Sequence, residues 1–539
     1  MKNEFFVISR PKIFLFFDNK LGCKALSDLT NSINNVGVIA RQSVRGAMAN
    51  YLGVAIGFFT TFFVLTDCLT QEEIGLTRVM VDAAMLFSGL AQLGTNASII
   101  RFFPFFKSDD DRNHGIFGWS ILIPFIGFTV FALLFFIFKG EIIDVYSQKS
   151  PLIANYVYLL LPLTFFALYL TVFETNASVL LRITVPRLVR EVGIRIFNLI
   201  CYLLYGNDVI SLDVFVLLFC LGYGIAMLIN FFYLMSLGKI SFRIDWGFIN
   251  RHRMKEILLY TLFMTATVLA GNIPLINSLF LGAQTGLALT GVYTIAFYIA
   301  NIVEVPYRSL GAISRPLVSQ AVRDDNWDEV NRLSKKVSLH QFLVSALIFF
   351  LIWINLRPLF GIIPHGAEYI GGMGVVFFLG LAKIVNSSLS IGTDILNYSR
   401  LYPFSLLFIT LLTASAIILN NSLIPLWGIN GSACATLFSY CLYFVCLLFF
   451  IGAKLHVSIF SHKQLVVLVM MLALFGLDLL WTLLLTPLFA PLPHIVALLC
   501  DAVAETAVML VISIVVVSRL HISQDVDIFF DKILRRKRG

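Results

Sequence analysis

Residues 116–138 read IFGWSILIPFIGFTVFALLFFIF, a stretch of apolar and small side chains that contains no charged residue. A helix needs about 20 apolar residues to cross the hydrocarbon core of a bilayer, which is roughly 30 Å thick. This stretch is therefore predicted to be a transmembrane helix. Similar stretches fill the chain from Gly46 to Val517 and leave no segment large enough for a soluble catalytic domain. We therefore do not expect an enzyme.

The sequence predicts an all-α polytopic membrane protein with about fourteen transmembrane helices. Its 539 residues are 59% hydrophobic and 13% charged, so the bilayer supplies the burial that a soluble core would otherwise provide. The predicted spans are 46–69, 74–94, 116–138, 152–173, 188–205, 209–236, 257–282, 287–312, 338–356, 369–393, 402–419, 424–452, 465–489 and 493–517.

The positions of the basic residues predict the orientation of this bundle. With both termini in the cytoplasm, the external connections contain only Lys139, Lys149 and Arg357 of the 39 Lys and Arg residues. Cytoplasmic connections carry an excess of Lys and Arg in membrane proteins. We therefore predict that residues 1–43 and the basic tail 518–539 are cytoplasmic. The connections 237–256 and 313–337 are also predicted to be cytoplasmic, whereas 139–151 and 357–368 are predicted to be external.

Composition also excludes several classes of function. The eight cysteines stand singly, with no CxxC pair, and the histidines lie mainly near predicted helix ends, so we expect no metal site, disulfide framework or cofactor. No phosphate-binding loop, HExxH motif or catalytic Ser/His/Asp arrangement is present. Because loop topology accounts for the net charge of +8, nucleic acid is not an expected partner.

The two halves of the chain contain a faint repeat. After the first predicted span, the chain reads Ile74-Gly75-Leu76-Thr77-Arg78. After the seventh predicted span, it reads Thr290-Gly291-Val292-Tyr293-Thr294. Each segment leads to a basic connection, at Arg101 and at Arg315. Related halves with a site between them are the usual construction of secondary transporters. The repeat therefore favours a transporter.

Ionisable residues inside the predicted spans are the first candidates for a binding site. Arg78 and Asp82 are four residues apart on one helix and close enough to pair, and Glu304 and Arg308 have the same spacing. Such groups cost several kcal/mol in a membrane unless they meet a partner or a wet cavity, so structural ion pairs and cavity-lining groups both remain open. The complete set of cavity candidates is Arg78, Asp82, Asn272, Asn277, Tyr298, Asn301, Glu304, Arg308, Lys383 and Asp394.

Lys383 and the uncharged candidates each offer a specific chemistry. Lys383 stands alone on its predicted helix, which implies that an anion or a carboxylate meets it. The tyrosine and asparagine candidates offer hydrogen bonds and ring faces that suit sugars.

The seventh predicted span contains Gly271-Asn272-Ile273-Pro274, where proline removes a backbone hydrogen bond. Gly271 and Pro274 form either a hinge or a static kink.

The opening of the chain resembles a known family. Arg45-Gly46-Ala47-Met48-Ala49-Asn50-Tyr51-Leu52-Gly53, followed by Leu69-Thr70-Gln71-Glu72-Glu73-Ile74-Gly75 and by Leu93-Gly94-Thr95-Asn96-Ala97-Ser98-Ile99-Ile100-Arg101-Phe102, resembles the start of Wzx-type polysaccharide-unit flippases. These belong to the multidrug/oligosaccharidyl-lipid/polysaccharide exporter (MOP) superfamily. The residue-level resemblance covers about the first 110 positions, and the helix count extends it over most of the chain.

The resemblance implies two six-helix lobes around a central cavity, with two further C-terminal helices and alternating access. The implied divisions are an N-terminal lobe 44–236, a linker 237–256, a C-terminal lobe 257–452 and two extra helices within 453–517. The implied location is the bacterial inner membrane. The implied cargo is a polyprenyl-diphosphate-linked oligosaccharide, with Arg78 and Lys383 nearest to the basic groups that bind the diphosphate in such cavities. A polysaccharide polymerase and glycosyltransferases are the implied protein partners.

Two alternatives within the same superfamily remain. A drug/cation antiporter would favour an acidic cavity around Asp82, Glu304 and Asp394, with little need for Lys383. The fourteen-span count also resembles the lipid II flippase of cell-wall synthesis. A membrane polymerase or ligase is less consistent with the chain, because its longest predicted external connection is short.

Overall fold

The computed structural model describes residues 53, 55–108, 113–238, 241–245, 247–248, 251–270, 273–489 and 493–520, and within these ranges all regular structure is helical. Helices satisfy backbone hydrogen bonds within one segment, which is what a chain rich in apolar spans requires in lipid. The predicted segment 1–43, most of the Arg45–Gly53 motif, the tail beyond Leu520, Gly271 and Asn272 lie outside the described residues.

The described part of the N-terminal half contains seven helices. They are α1 (Ala55–Cys68), α2 (Gln71–Ala91), α3 (Thr95–Phe106), α4 (Ile116–Ser147), α5 (Pro151–Val179), α6 (the continuous segments Thr184–Leu188, Val189–Gly193 and Ile194–Gly206) and α7 (Leu212–Ser236). The middle segments of α1 and α6, Thr60–Leu65 and Val189–Gly193, have π-helical hydrogen bonding.

The remainder of the described chain contains ten helices. They are α8 (Arg251–Ala270), α9 (Ile273–Gln284), α10 (Leu287–Glu304), α11 (Val305–Arg323), α12 (Trp327–Ile354), α13 (Leu356–Ile362), α14 (Met373–Tyr398), α15 (Phe404–Leu455), α16 (His462–Leu484) and α17 (His494–Arg519). A 3-10 segment, Gly366–Gly372, leads into α14.

Among the described residues, ten helices are long and apolar enough to cross a membrane. The chain is therefore a multi-pass, all-α membrane protein, as the sequence predicts. The cores of the predicted spans coincide with helical chain wherever they are described, while the number of fourteen crossings stays a prediction.

The longest helix, α15, contains 52 residues and cannot be one membrane span. At 1.5 Å per residue it would be about 78 Å long, more than twice the thickness of the hydrocarbon core. Gly428 interrupts it with φ 54° and ψ −131°, and Gly431 then approaches the backbone carbonyl of Leu423. The chain thus reverses within α15. The sequence predicted two spans here, with the turn at 420–423, slightly before the observed reversal.

The first residue of α2 is set by a capping box. The Thr70 side chain accepts a hydrogen bond from the backbone N–H of Glu73, and the Glu73 carboxylate accepts one from the backbone N–H of Thr70 at 2.9 Å. Both N–H groups would otherwise lack a partner at the helix end. The helix therefore begins at Gln71, three residues before the predicted span.

The two halves meet along α2 and α10, which pack closely against each other. Gly75 is the fifth residue of α2 and lies against the carbonyl oxygen of Leu287, the first residue of α10. Gly291 is the fifth residue of α10 and lies against the carbonyl oxygen of Gln71, the first residue of α2. Small residues allow membrane helices to approach this closely. The contact is reciprocal, and it involves the two segments that resemble each other in sequence.

Candidate functional site

The first charged group of the candidate site is an ion pair on α2. The Arg78 Nε atom lies 2.5 Å from the Asp82 Oδ2 atom, and their side chains are 9% and 5% exposed. Asp82 also accepts a hydrogen bond of 2.6 Å from the Ser278 hydroxyl of α9. A buried carboxylate needs such partners to offset its lost hydration. The pair that the four-residue spacing predicts therefore forms, and it joins α2 to α9.

Arg78 also contacts aromatic rings of α10. Its guanidinium carbon lies 4.4 Å from the centroid of the Phe297 ring and 5.6 Å from that of the Tyr298 ring. An arginine in this range is attracted to the electron-rich face of an aromatic ring. The guanidinium of the N-terminal half thus lies on aromatic residues of the C-terminal half.

A second ion pair lies close by, between α10 and α14. The Lys383 Nζ atom is 3.1 Å from the Glu304 Oε2 atom, with the two side chains 7% and 11% exposed. The other oxygen, Glu304 Oε1, accepts a hydrogen bond of 2.9 Å from the Asn386 amide. A carboxylate therefore meets Lys383, as its isolated position predicts. Glu304 is directed across to α14, whereas Arg308, which has the four-residue spacing, is exposed.

Phe297 links the two ion pairs. The Lys383 Nζ atom lies 5.5 Å from the centroid of the same ring that Arg78 contacts at 4.4 Å. The two cations, one from each half of the chain, are thus separated by no more than the sum of these distances. Each cation has its own carboxylate, so neither buried cation is left without a counter-charge.

A separate polar network surrounds Asn277. Its amide nitrogen donates to the Tyr293 hydroxyl at 3.1 Å and to the Thr436 hydroxyl at 2.7 Å, and its carbonyl oxygen accepts from the Asn420 amide at 2.9 Å. All four side chains are buried. Polar groups inside a membrane bundle require partners of this kind, and these ones tie α9 and α10 to α15. Asn277 therefore has a structural role in this state of the protein.

The remaining candidates lie at different depths along the bundle. Tyr298 is exposed and Asn301 is half-buried, and both lie within four residues of Phe297 on α10. Asp394 lies toward the end of α14 and pairs with Arg315 of α11 at 3.2 Å. Arg315 also donates to the Tyr307 hydroxyl at 2.5 Å. Asp394 thus belongs to a separate charged cluster where α11 and α14 meet.

The predicted hinge is only partly described. Pro274 is the second residue of α9, and α8 ends at Ala270. Gly271 and Asn272 fall between these helices and lie outside the described residues. The hinge therefore stays a prediction. The described chain on either side of it consists of the end of α8 and the start of α9.

Sequence reasoning missed Phe297, Ser278 and Asn386. A signal for Phe297 and Asn386 was available, because Phe297 and Glu304 are seven residues apart and therefore share a face of α10, and Lys383 and Asn386 are three residues apart on α14. Ser278 had no such signal, because its contact with Asp82 joins residues separated by 196 positions. Within the described ranges, no group of three or more His, Cys, Asp or Glu side chains is placed to bind a metal ion.

The fold is similar to the folds of several solved membrane transport proteins. The chain is similar to the lipid II flippase MurJ in an inward closed conformation, with a TM-score of 0.68, 12% identity, and coverage of 88% of this chain and 99% of that one. It is also similar to an inward-facing multidrug resistance MATE family transporter of the MOP superfamily, with a TM-score of 0.53, 16% identity, and coverage of 74% and 94%. A MOP superfamily transporter from Pyrococcus furiosus gives a TM-score of 0.51 at 14% identity, with coverage of 77% and 97%. The chain thus shares the fold of these three proteins.

The sequence places the chain more narrowly. Residues 43–322 match the family described as "Polysaccharide biosynthesis protein", and this match covers more than half of the chain. The chain therefore belongs to that family, which includes the Wzx-type proteins that its opening residues resemble. No curated protein matches it.

Proposed function

We propose that the protein is a flippase that moves a polyprenyl-diphosphate-linked oligosaccharide repeat unit across the bacterial inner membrane. The cargo would serve assembly of a surface polysaccharide such as O-antigen. Membership of a polysaccharide biosynthesis family and the transporter fold support this proposal. Alternating access would carry the diphosphate and sugars through the bundle while the polyprenyl tail stays in lipid.

The observation that carries the proposal is the placement of Arg78 and Lys383 on one aromatic ring. One cation comes from each half of the chain, and both contact Phe297. A diphosphate is an extended anion with oxygens on two phosphorus atoms, so two neighbouring cations match it better than a single cation does. Arginine is also suited to forked contacts with phosphate.

The carboxylates give the site a resting state without substrate. Asp82 and Glu304 hold Arg78 and Lys383 while the site is closed, which avoids leaving two buried cations unpaired. Phosphate oxygens would replace these carboxylates as the partners of the cations when substrate binds. Because each cation has an alternative partner within the protein, the substrate can leave again without exposing an uncompensated charge.

Nearby polar and aromatic groups would contact the sugars. Tyr298 is exposed beside Phe297, and Asn301 is half-buried one helical turn further along α10. Aromatic faces pack on the apolar faces of sugar rings, while amide groups form hydrogen bonds with hydroxyls. We assign the oligosaccharide to this part of the cavity, with Arg308 nearer the predicted cytoplasmic end. Glycosyltransferases would supply the repeat unit there, and a polymerase would receive it on the other side.

Substitution of the two cations tests the proposal. Arg78→Gln and Lys383→Gln should each abolish polymer export in cells that depend on this chain, with export expressed per amount of the protein present in the membrane. Arg78→Lys and Lys383→Arg keep the charge and should retain more export than the Gln variants. Lys454→Gln, which removes an exposed cation elsewhere, serves as the matched control. Full export by the Arg78→Gln/Lys383→Gln double variant would refute the proposed diphosphate site.

A binding assay and a complementation assay distinguish the proposed function from the two alternatives. A drug/cation antiporter would bind organic cations more tightly once Arg78 or Lys383 is neutralised, because the carboxylates would then face the cavity unpaired. A lipid II flippase would restore cell-wall synthesis in cells depleted of their own lipid II flippase. The proposed function predicts neither result.

A further inference from the structure

A cavity lies apart from the two buried ion pairs, where α12, α14 and the start of α16 meet. Its volume is about 730 Å³, and its walls are mostly apolar, with Phe342, Val385, Leu465 and Leu468 among them. Neither Arg78 nor Lys383 lines this cavity. The transport proposal therefore leaves it without a role.

The cavity is polar at one end and apolar at the other. Lys335 lies eight residues into α12, and His462 is the first residue of α16. Phe342 and Leu468 lie further along these helices, seven and six residues away from the basic pair, or about 10 Å deeper at 1.5 Å per residue. The basic groups thus lie at the end where α12 and α16 begin, next to the connection between α15 and α16.

Hydrogen bonds hold this polar end in place. The backbone N–H of Ser458 donates to the Asn331 side chain at 2.9 Å, which fixes the connection before α16 to α12. The Gln464 amide donates to the Ser338 hydroxyl at 2.7 Å, and its carbonyl oxygen accepts from the backbone N–H of Ser461 at 3.0 Å. Hydrogen bonds between α12 and the start of α16 therefore fix the shape of the polar end.

The apolar end opens toward the lipid-facing surface. Leu465 and Leu468 line the cavity, yet they are exposed together with Val469 and Leu472 on the same helix. An exposed apolar face on a membrane helix is covered by hydrocarbon. An acyl chain can therefore enter from the side, while the basic end stays at the depth of the lipid headgroups.

We propose that this cavity binds an anionic glycerophospholipid of the surrounding leaflet. The headgroup phosphate contacts Lys335 and His462 beside the positive end of the α16 helix dipole, and one acyl chain occupies the space between Phe342 and Leu468. Charge complementarity selects an anionic over a neutral lipid, and the apolar walls select a lipid over free phosphate. The lipid joins α16, outside the proposed C-terminal lobe, to α12 and α14 of that lobe. This inference does not depend on which substrate is transported.

Retention of lipid by the purified full-length protein tests the proposal. Native mass spectrometry would count bound phosphatidylglycerol and phosphatidylcholine with identical acyl chains, with inorganic phosphate added alone in a third arm. We expect preferential retention of phosphatidylglycerol, accompanied by a rise in the thermal unfolding temperature. Lys335→Gln should weaken this retention about fivefold, the effect of removing one cation near a lipid headgroup, and Lys335→Gln/His462→Gln should weaken it further.

Two further variants test whether the retained lipid depends on the charge and the space of this cavity. Lys454→Gln removes an exposed cation outside the cavity and should retain phosphatidylglycerol as the unmodified protein does. Ser388→Leu fills part of the cavity without altering its charge and should weaken the retention of both lipids. Equal retention of the two lipids, undiminished retention by Lys335→Gln/His462→Gln, or the same thermal shift with phosphate alone would each overturn the proposal.

Discussion

Gly75 and Gly291 occupy the same place in the two halves of the protein, and each lies against the carbonyl oxygen of the first residue of the opposite helix. A methyl group at either position would overlap backbone that cannot move aside as a flexible side chain can. Overpacking of this kind costs about 1–3 kcal/mol. The two glycines therefore allow α2 and α10 to close against each other at the end where both helices begin.

Alanine at these glycines should separate the two helices. With the predicted orientation this end is external, so Gly75→Ala or Gly291→Ala should favour a state that is open to the outside. A cysteine introduced by Thr285→Cys in a cysteine-free background should then react faster with an impermeant thiol reagent. Gly476→Ala is the control, because an added methyl group there meets nothing within 4 Å. Unchanged labelling in both glycine variants would show that their contact does not control access.

The Lys383–Glu304 pair predicts that a double variant is more stable than the Lys383→Gln single variant. Lys383→Gln leaves the buried Glu304 carboxylate without its counter-charge, and loss of one member of a buried pair costs about 3–5 kcal/mol. Lys383→Gln/Glu304→Gln removes both charges and should recover most of this loss in thermal unfolding, but it should not recover export. The exposed Arg332–Glu329 pair is the control, because water already solvates both groups. A double variant no more stable than Lys383→Gln would contradict the ion-pair interpretation.

The predicted orientation can be tested with single cysteines. Val145→Cys lies in the predicted external connection 139–151, and Asp324→Cys lies in the predicted cytoplasmic connection 313–337. In intact cells, an impermeant thiol reagent should label the first and not the second, while permeabilised cells should show labelling of both. Labelling of position 324 but not of 145 in intact cells would reverse the orientation, and with it the predicted location of both termini.

The Gly271–Pro274 segment remains the predicted hinge. Pro274→Ala restores a backbone donor and Gly271→Ala narrows the available backbone angles, so the double variant should favour one access state. Cysteines at positions 285 and 308, near the predicted external and cytoplasmic mouths, should then change their labelling in opposite directions. Unchanged labels together with unchanged export would identify the segment as a static kink.

The positions of the helices could be predicted from the sequence because lipid imposes a local rule. Each span must supply its own apolar length and its own backbone hydrogen bonds, so a stretch such as 116–138 reveals its structure without any knowledge of its neighbours. The ion pair between Arg78 and Asp82 was predictable for the same reason, since four residues is about one helical turn. Within the described residues, both predictions agree with the structure.

The partners of other residues depend on how the helices pack, which no local pattern specifies. Lys383 requires an anion, but only the packing of α14 against α10 makes that anion Glu304, 79 positions away. Gly75 and Gly291 can be read as a faint repeat, yet their reciprocal contact exists only once α2 and α10 are side by side. The sequence by itself determined which segments are helical and which intramembrane charges need compensation. The tertiary structure alone decided which groups compensate them, because side chains far apart in the chain become neighbours only when the helices associate.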